Sequence, residues 1–540
     1  MMMGKMIKQI FIIIAIKKHA NLPNQLVKKL NGITLIQRAI NVAMQFTNYK
    51  NILVVTDSEE ISLISERNKI EFFYDKTLTL SYENAIEELK KMKIIDRYSK
   101  YFEDLIIFQA NTPIISHEDI SKAYNYFKEK SLNGMMVSGK YSTKKFYENN
   151  KCFLKEIEIF SNKKVFEEIY SFKIISFNSL KEKEICKIPY IIPHERIIEI
   201  KSYQDWWICE KILSRKRVIF NVIGSTKLGM GHIYHALSLA HEINDHEIIF
   251  VCHEDYEIAV EKIAQMDYKV VSTNNTLETI LNLKPNLVIN DILDTSKEYI
   301  QTLKRNGIKT VNFEDLGEGA IYADLVINEL YDTPKIIGDN FLWGHRYVTL
   351  RDEFEEAKPH TFKEKVDEIL ITFGGTDQNN LTYLTLKAIL PIVEIKNIKV
   401  NIVCGGGYLY KKELLSYINS IEYKNIEFTS AVGVISKIME KTPIAFSSNG
   451  RTVYELADMH IPSIIISHHE RETTHTFTKL ENGFINLGVY HQPNIIKLIK
   501  KNFKKIISDN DYRRLLFLNI QKYNFRKNKH IILDKIQNFL

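Results

Sequence analysis

Residues Phe220–Ala240, FNVIGSTKLGMGHIYHALSLA, establish the fold class of this chain. An apolar run leads into a loop with Gly224, Gly229 and Gly231, and a helix is predicted to begin near His232. Glycines let backbone amides approach a ligand, and the N-terminus of a helix favours anions. A strand, a glycine-rich turn and a helix in this order are typical of the start of a doubly wound α/β domain.

The position of His232 suggests chemistry as well as structure. At the exit of the turn it would lie at the open carboxyl edge of the sheet, where substrates bind in such folds. An imidazole there could act as a base. A histidine that only caps the helix explains the same residues, so these residues alone leave both interpretations open.

Composition places the chain among folded globular proteins. It has 540 residues, of which 45% are hydrophobic and 26% charged, and these proportions exclude a disordered chain, a collagen-like chain and a small disulfide scaffold. The 73 basic and 66 acidic residues are interleaved and leave a net charge of only +7. We therefore expect no nucleic-acid partner and no binding to a membrane surface.

Cysteine usage and apolar runs bear on localisation. The cysteines are far apart and form no C-x-x-C pair, which indicates a reduced, unmetallated, cytoplasmic protein; they are Cys152, Cys186, Cys209, Cys252 and Cys404. The apolar run Ile10–Ile16 is short for a signal core and is followed by two lysines, so we predict a buried parallel strand. No run approaches the ~20 apolar residues that span a bilayer.

Short apolar runs alternate with amphipathic segments along the whole chain, which predicts parallel sheets covered on both faces. Ser116 is predicted to cap one of the helices. A new strand with a glycine-rich end begins after Arg215 and another begins at Glu368. We therefore predict a first domain at 1–215 and a second part made of two lobes, 216–350 and 351–540.

Two more strand–turn–helix segments follow the first. In EILITFGGTDQNNLT, residues 368–382, the turn offers amides and a hydroxyl to a phosphate or sugar. In PIAFSSNGRTVYELADMHIPSIIIS, residues 443–467, the polar turn suits a diphosphate and Glu455 suits a ribose diol. A plain connection with an asparagine cap, and a surface position for Glu455, remain open. The predicted binding residues are Gly229, Gly231, Gly374, Gly375, Thr376, Asp377, Ser448, Asn449, Gly450, Arg451, Thr452 and Glu455.

Together these segments resemble the glycosyltransferase-B (GT-B) superfamily, and within it the UDP-sugar hydrolases of the pseudaminic acid pathway and their relatives in spore-coat polysaccharide synthesis. FEDL at Phe313–Leu316 and WGHRYVTLRDEF at Trp343–Phe354 support the resemblance, which spans about residues 218–490. It implies two Rossmann-like lobes and hydrolysis of a UDP-linked diacetamido-trideoxyhexose at the anomeric carbon. It further implies His232 as the catalytic base and Glu455 as a ribose ligand. No metal or cofactor is expected in this part, because helix N-termini can neutralise the diphosphate.

The motifs near the sugar depart from that family. Ile223 stands in place of an aspartate, His235 in place of an arginine, and Leu293 in place of a tyrosine implicated in catalysis. The UDP-side motifs persist. A different sugar, or a transferase rather than a hydrolase, therefore stays open.

A histidine-rich stretch after the third segment raises the question of zinc. His468, His469 and Glu470, with His475 nearby, fit no H-E-x-x-H helix. We predict no metal there, and we expect His469, Glu470 and Thr474 to line the pocket or to be exposed.

Residues 1–215 resemble the cytidylyltransferases that activate sialic acids and related nonulosonates. The matching segments are LNGITLI at 30–36, VTDSEEI at 55–61 and FQANTP at 108–113. The resemblance implies CTP and a nonulosonic acid as ligands. It also implies a basic glycine-rich loop for the triphosphate and acidic residues for Mg²⁺.

This first part departs from the family at both of those places. The loop reads AIKKHANLPNQL at 15–26, with Lys17 and Lys18 in place of glycines. EIK at 199–201 puts Lys201 where a metal ligand is expected, and a lysine there would repel Mg²⁺. We predict a degenerate nucleotidyltransferase-like domain, kept for homodimer formation or for binding a sugar product, with Mg²⁺ required only if the domain is active.

We therefore predict a cytoplasmic enzyme of nonulosonic acid or surface-glycan synthesis. Its second part would bind a UDP-sugar and hydrolyse it with His232 as the base. A glycosyltransferase at the same site, a bifunctional enzyme that still makes CMP-nonulosonate, and a non-catalytic nucleotide-sugar sensor are the alternatives. They differ in acceptor-dependent UDP release, in CTP- and Mg²⁺-dependent pyrophosphate release, and in tight binding without turnover.

Overall fold

Strand β1 (Ile7–Ala15) contains the apolar run near the start of the chain and lies inside a seven-stranded sheet. Ile10 to Ala15 are all buried, which confirms the prediction of a buried strand. Phe11 and Ile13 pack into one apolar core, and Ile12 and Ile14 pack into another. Since successive strand residues point to opposite faces, helices cover both faces of this sheet.

In this computed structural model the chain divides into two units, residues 1–215 and 216–540. The residues that the structure describes are 7–130, 134–142, 146–148, 154–156, 165–182, 184–225, 229–430 and 434–540. Cys152 lies outside them. The other cysteines carry free thiols, as expected; they are Cys186, Cys209, Cys252 and Cys404.

The first unit is an α/β sandwich around one seven-stranded sheet with the order β11-β7-β10-β6-β1-β4-β5, while β2 pairs with β3 and β8 pairs with β9 in two separate two-stranded sheets. Its pairs are parallel except where β10 meets β6 and β7, so one reversed strand interrupts the predicted parallel sheet. The strands are β1 (Ile7–Ala15), β2 (Lys29–Leu30), β3 (Ile33–Thr34), β4 (Ile52–Thr56), β5 (Glu71–Tyr74), β6 (Phe102–Gln109), β7 (Met135–Ser142), β8 (Phe146–Glu148), β9 (Leu154–Glu156), β10 (Val165–Ser176) and β11 (Lys187–Ile191). The helices are α1 (Leu35–Phe46), α2 (Glu59–Arg67), α3 (Ala85–Lys91), α4 (Ile94–Tyr98), α5 (His117–Glu129) and α6 (Tyr203–Ser214).

Helix α5 shows how local sequence sets the helix boundaries. The Ser116 hydroxyl accepts a hydrogen bond from the backbone N–H of Asp119, and the Asp119 carboxylate accepts one from the N–H of Ser116. This reciprocal capping satisfies two amide groups that the first turn leaves without partners. The predicted cap at Ser116 is confirmed.

The second unit contains two parallel sheets, with the orders β14-β13-β12-β15-β16-β17-β18 and β21-β20-β19-β22-β23-β24. The strands of the first sheet are β12 (Arg217–Val222), β13 (Glu247–His253), β14 (Val270–Thr273), β15 (Leu287–Asp291), β16 (Lys309–Phe313), β17 (Leu325–Asn328) and β18 (Phe341–Trp343). Those of the second are β19 (Glu368–Ile371), β20 (Lys399–Cys404), β21 (Ile426–Ser430), β22 (Ala445–Ser447), β23 (Ser463–Ser467) and β24 (Phe484–Val489). Together with the first unit, these two Rossmann-like lobes confirm the predicted fold class.

α-Helices lie between successive strands from β12 to β16 in the first lobe and from β19 to β24 in the second, and three more helices follow β24. In the first lobe they are α7 (Gly231–Glu242), α8 (Glu257–Ala264), α9 (Thr276–Leu283) and α10 (Lys297–Arg305). The later ones are α11 (Leu381–Lys396), α12 (Lys411–Ser420), α13 (Ser436–Met439), α14 (Thr452–Asp458), α15 (Glu470–Thr473), α16 (Ile495–Ser508), α17 (Asn510–Ile520) and α18 (Asn528–Gln537).

Helix α18 departs from the prediction that residues 351–540 form one lobe. Its Ile532 and Ile536 pack into the apolar core of the first lobe, with Val218 and Leu237. Ile532 and Ile536 lie one turn apart on the same face of α18, and this apolar face packs on the apolar surface that β12 and α7 provide. The chain therefore passes from one lobe to the other twice.

Within the described ranges, no helix combines the length and the apolar character that crossing a bilayer requires.

Candidate functional site

The second unit holds a cavity of about 710 Å³, which lies within the range of small-molecule sites. Its lining comes from residues that follow strands of both parallel sheets. Most of the predicted site residues share this lining: His232, Gly229, Gly231, Gly374, Gly375, Thr376, Ser448, Gly450, Arg451, Thr452 and Glu455. The expected lining residues His469 and Glu470 are there too. Thr474 is not part of the lining.

Two predicted binding residues lie outside the lining. The buried Asp377 carboxylate accepts hydrogen bonds from the backbone N–H groups of Leu381 and Thr382, both at 2.8 Å, and so caps helix α11. The Asn449 amide donates to the carbonyl oxygens of Glu472 (2.6 Å) and His475 (3.1 Å). Both side chains are engaged in hydrogen bonds to the backbone, which stabilise the conformation of the turns.

The turn after β19 needs its glycines for a close approach. Gly374 has φ +82°, in the left-handed region that favours glycine. A Cβ added to Gly405 would lie 2.3 Å from the carbonyl oxygen of Gly375. The ends of β19 and β20 therefore pack backbone to backbone at the cavity wall.

Two histidines of α7 share one carboxylate. Nδ1 of His232 lies 2.6 Å from Oδ1 of Asp291, and Nδ1 of His235 lies 2.6 Å from Oδ2. Because an ionised carboxylate can only accept, Nδ1 carries the proton in both rings. Nε2 of neutral His232 is then a free base, and no hydrogen-bond partner for it exists among the described residues.

Burial and neighbouring charges set the protonation of this group. Burial lowers the pKa of His232, but the nearby carboxylates of Asp291 and Glu314 outweigh burial, and the pKa ends above its ordinary value. Burial, together with the charge of Arg451, holds the pKa of His235 below its ordinary value. Burial raises the pKa of Asp291, but the two histidines lower it more, so this carboxyl stays ionised.

Acidic residues follow three neighbouring strands at the same edge of the first sheet. Asp291 ends β15, Glu314 follows β16, and Glu329 follows β17. All three side chains are buried. Arg451 reaches them from the second sheet: Nη2 donates to Oε1 of Glu314 at 2.6 Å, and Nη1 forms an ion pair with Glu329.

Sequence reasoning did not assign these acids a role. Each stands at or directly after an apolar strand, at Asn290-Asp291, Phe313-Glu314 and Asn328-Glu329. Carboxyl ends of parallel strands meet at one edge, so this position was an available signal. Which strands are neighbours was not readable from the local pattern.

A second missed residue, Arg351, holds Glu455. Its Nε and Nη2 donate to Oε1 and Oε2 of the Glu455 carboxylate at 2.7 and 3.1 Å. Such a two-point contact fixes the plane of the carboxylate. Each oxygen keeps a further lone pair for a ligand hydroxyl, so the arrangement is compatible with a ribose diol.

The histidine-rich stretch is tied to the backbone. Nδ1 of His475 lies 2.7 Å from the carbonyl oxygen of Asn449, and Nε2 of His468 lies 3.3 Å from that of Phe373. Among the described residues, the group with the spacing of metal ligands is Glu242, Asp352 and Glu355, and Lys529 forms ion pairs with all three of its members.

The first unit has a smaller cavity of about 150 Å³. His19, Glu83, Asn111 and Glu199 line it. This volume is below the roughly 300 Å³ at which pockets for drug-sized ligands begin. A nucleoside triphosphate is larger than such ligands.

The residues expected at a magnesium site here do not fit the ion. Nζ of Lys201 lies 2.8 Å from Oε2 of Glu199, and the Asn111 amide donates to Oε1 at 3.2 Å. Both oxygens of the carboxylate are engaged by donors of the chain. Mg²⁺ needs free oxygen ligands in an octahedron, and an ammonium beside the carboxylate opposes it.

Comparison with protein families gives one match for the first unit. Residues 10–171 match the family model described as Cytidylyltransferase. The resemblance expected from the sequence is confirmed for this part of the chain.

Three curated relatives extend the comparison. An uncharacterized protein of Methanocaldococcus jannaschii, MJ1062, is 28% identical over 267 residues, 46% of this chain and 54% of the relative. The spore coat polysaccharide biosynthesis protein SpsG of Bacillus subtilis is 25% identical over 49% of this chain and 82% of its own length.

The third relative combines two activities in its name. The pseudaminic acid cytidylyltransferase and UDP-2,4-diacetamido-2,4,6-trideoxy-beta-L-altropyranose hydrolase of Helicobacter pylori is 28% identical over 26% of this chain and 23% of its own length. The chain thus spans about half of the first relative and a quarter of the third. The resemblance to the pseudaminic acid and spore-coat proteins is confirmed.

Proposed function

We propose that the second unit is a UDP-sugar hydrolase of nonulosonic acid or surface-glycan synthesis, with His232 as its base. The observation that carries this proposal is the pair of His232 with Asp291, beside a 710 Å³ cavity with glycine-rich turns. The names of the relatives from Bacillus subtilis and Helicobacter pylori support the substrate class.

The reaction follows from the free Nε2 of His232. Water gives a proton to Nε2 as its oxygen forms a bond to the anomeric carbon of the sugar. The bond between that carbon and the diphosphate oxygen breaks, and UDP leaves with the electron pair. Asp291 stabilises the imidazolium that results. The N-terminus of helix α14, which follows the turn after β22, adds a favourable dipole for the departing diphosphate.

UDP binds against the second lobe in this proposal. Gly374, Gly375 and Thr376 provide the turn after β19, and Ser448 and Gly450 to Thr452 provide the turn after β22. The Glu455 carboxylate, held by Arg351, accepts hydrogen bonds from the ribose hydroxyls. The sugar then faces His232 across the cavity.

The direct test measures UDP release from UDP-2,4-diacetamido-2,4,6-trideoxy-β-L-altropyranose by the purified chain without an acceptor. We expect turnover that is lost in His232→Ala and kept in His241→Ala, a substitution of an exposed histidine on the same helix. Saturable UDP binding without any release would overturn the hydrolase proposal for this sugar.

A glycosyltransferase is the second candidate, and one position favours it. Leu293 lines the cavity where the family has a tyrosine, and its φ of +66° is unusual for a leucine. A leucine held in this conformation presents an apolar side chain to an acceptor, where a tyrosine would present a hydroxyl. UDP release that starts only when an acceptor sugar is added would identify the transferase.

For the first unit we propose a scaffold role without nucleotidyl transfer. The support is the engagement of both Glu199 oxygens and the small volume of the cavity. A product sugar or a second copy of the chain remains its proposed partner. Pyrophosphate release that requires CTP and Mg²⁺ would instead show a bifunctional enzyme.

A further inference from the structure

Arg451 crosses the cleft of the second unit. It follows β22 of the second lobe, while its ion-pair partners Glu314 and Glu329 follow strands of the first lobe. Its Cδ lies 3.9 Å from the place where a Cβ on Gly231 would be, so the side chain passes over the turn that carries His232. The cation is therefore supplied to the base by the opposite lobe.

The first lobe by itself holds an excess of buried negative charge. Asp291, Glu314 and Glu329 are each less than 5% exposed. Buried carboxylates stay ionised only where a cation or several donors compensate them. The Glu329 oxygens have no hydrogen-bond donor within the described part of the chain, so its compensation is the ion pair with Arg451.

Glu329 also faces the second histidine. Its Oε1 lies 3.8 Å from Nε2 of His235, whose Nδ1 is bonded to Asp291. A contiguous set of charged groups therefore runs from Arg451 through Glu329 and His235 to Asp291 and His232. Glu314, which follows β16, faces the same group. Burial raises its pKa, but the charges of Arg451, His232 and His475 lower it below its ordinary value.

Without Arg451, a proton is the remaining means of compensating Glu329. His235 can hold that proton at Nε2, where it would face Glu329. A positively charged His235 would form an ion pair with the Asp291 carboxylate, which then stabilises a positive charge on His232 less well. The two rings share one carboxylate, so their protonation is coupled.

We propose that Arg451, from the opposite lobe, is a positioning residue for the base His232. Its positive charge compensates the buried carboxylates of Glu314 and Glu329, so the His232–His235 pair does not have to take up a proton to compensate them. This inference rests on the proposed function only for its consequence in catalysis. The protonation of the pair is a property of the chain without substrate.

The experiment follows the histidine pair by NMR in the full chain labelled with ¹³C at the histidine rings. Spectra of His232→Asn and His235→Asn assign the two signals. In Arg451→Gln we expect the pair to take up its first proton at a pH about one unit or more above wild type. Arg451→Lys keeps the positive charge and should titrate close to wild type.

Glu329→Gln is expected to shift the titration of the histidine pair in the opposite direction. It removes the negative charge that favours a proton on His235, so the pair should take up its first proton at a lower pH than in wild type. General loss of structure cannot move the two variants in opposite directions. Titration of Arg451→Gln at the wild-type pH, or shifts of the same sign in both variants, would overturn the proposal.

Catalysis gives a separate readout. If the hydrolase proposal holds, UDP release by Arg451→Gln should fall near neutral pH and recover as the pH rises, because the neutral base returns. NMR shifts as expected with no UDP release from wild type would overturn the proposed function and leave this inference standing.

Discussion

Nδ1 of His232 lies 2.6 Å from Oδ1 of Asp291, although the two residues are 59 positions apart in the chain. The order of the sheet explains this contact, because β12 and β15 are neighbours and both end at the same edge. Burial lowers the pKa of His232, but the Asp291 carboxylate, which also orients the ring, helps to raise this pKa above its ordinary value.

Asp291→Asn should slow UDP release by about 100- to 10,000-fold, because the imidazolium loses its partner. The pH dependence should also change. The base is active when neutral, so the wild-type rate rises with pH through a His232 pKa above the ordinary value. Without the carboxylate that pKa falls, and the rise should move to lower pH. Rates measured from pH 5 to pH 9 check both effects.

Asp255→Asn is the matched control, since Asp255 pairs with His253 on the surface. Its rate and pH profile should equal those of wild type. An Asp291→Asn profile that keeps the wild-type midpoint would contradict the assignment of His232 as the base.

Arg351→Gln should weaken UDP binding about tenfold, because Glu455 loses the contact that fixes its carboxylate. Glu455→Gln should weaken it by about 10- to 100-fold, in line with loss of a hydrogen bond to a charged group. Titration calorimetry with UDP measures both. The exposed Arg346→Gln should bind like wild type, and an unchanged affinity in Glu455→Gln would remove Glu455 from the nucleotide site.

Asp377→Ala should destabilise the second unit by about 1 to 2 kcal/mol, because helix α11 loses its cap. UDP affinity should change less than twofold in the folded variant, since Asp377 lies outside the cavity lining. Urea denaturation and UDP titration separate the two effects. The exposed Asp367→Asn is the control for charge; a large loss of UDP affinity in Asp377→Ala would return this residue to the binding site.

In the first unit, CTP with Mg²⁺ and a nonulosonic acid should release no pyrophosphate. Lys201→Asp should gain a site for Mn²⁺ that is missing from wild type, because a repelling ammonium becomes an oxygen ligand. Calorimetric titration with Mn²⁺ checks this. Lys29→Asp is the control, because Lys29 is exposed and pairs with no carboxylate among the described residues, and this variant should gain no such site. Pyrophosphate release by wild type would show that the unit is active.

The strand–turn–helix segments were the predictable part of the molecule. The apolar run, the glycines and the polar turn lie within about twenty residues of one another, so local pattern places His232, Gly374 and Glu455 at a sheet edge. The buried strand at Ile10–Ala15 and the cap at Ser116 were predictable for the same reason.

Contacts that depend on strand order were not predictable. Asp291, Glu329 and Arg351 meet their partners only because distant segments lie side by side in the folded sheets. Asp377 shows the converse: its polar turn favours a binding role and a capping role equally. Only the position of the carboxylate, between two backbone amides, distinguishes the capping role.

Helix α18 has a mechanical consequence. Its Ile532 and Ile536 complete the apolar core beside β12, so this core stays incomplete until the residues that follow the second lobe have been synthesised and packed against it. The two chain crossings and this shared core couple the stabilities of the two lobes. Neither lobe should melt without the other, and the second unit should unfold in a single cooperative transition.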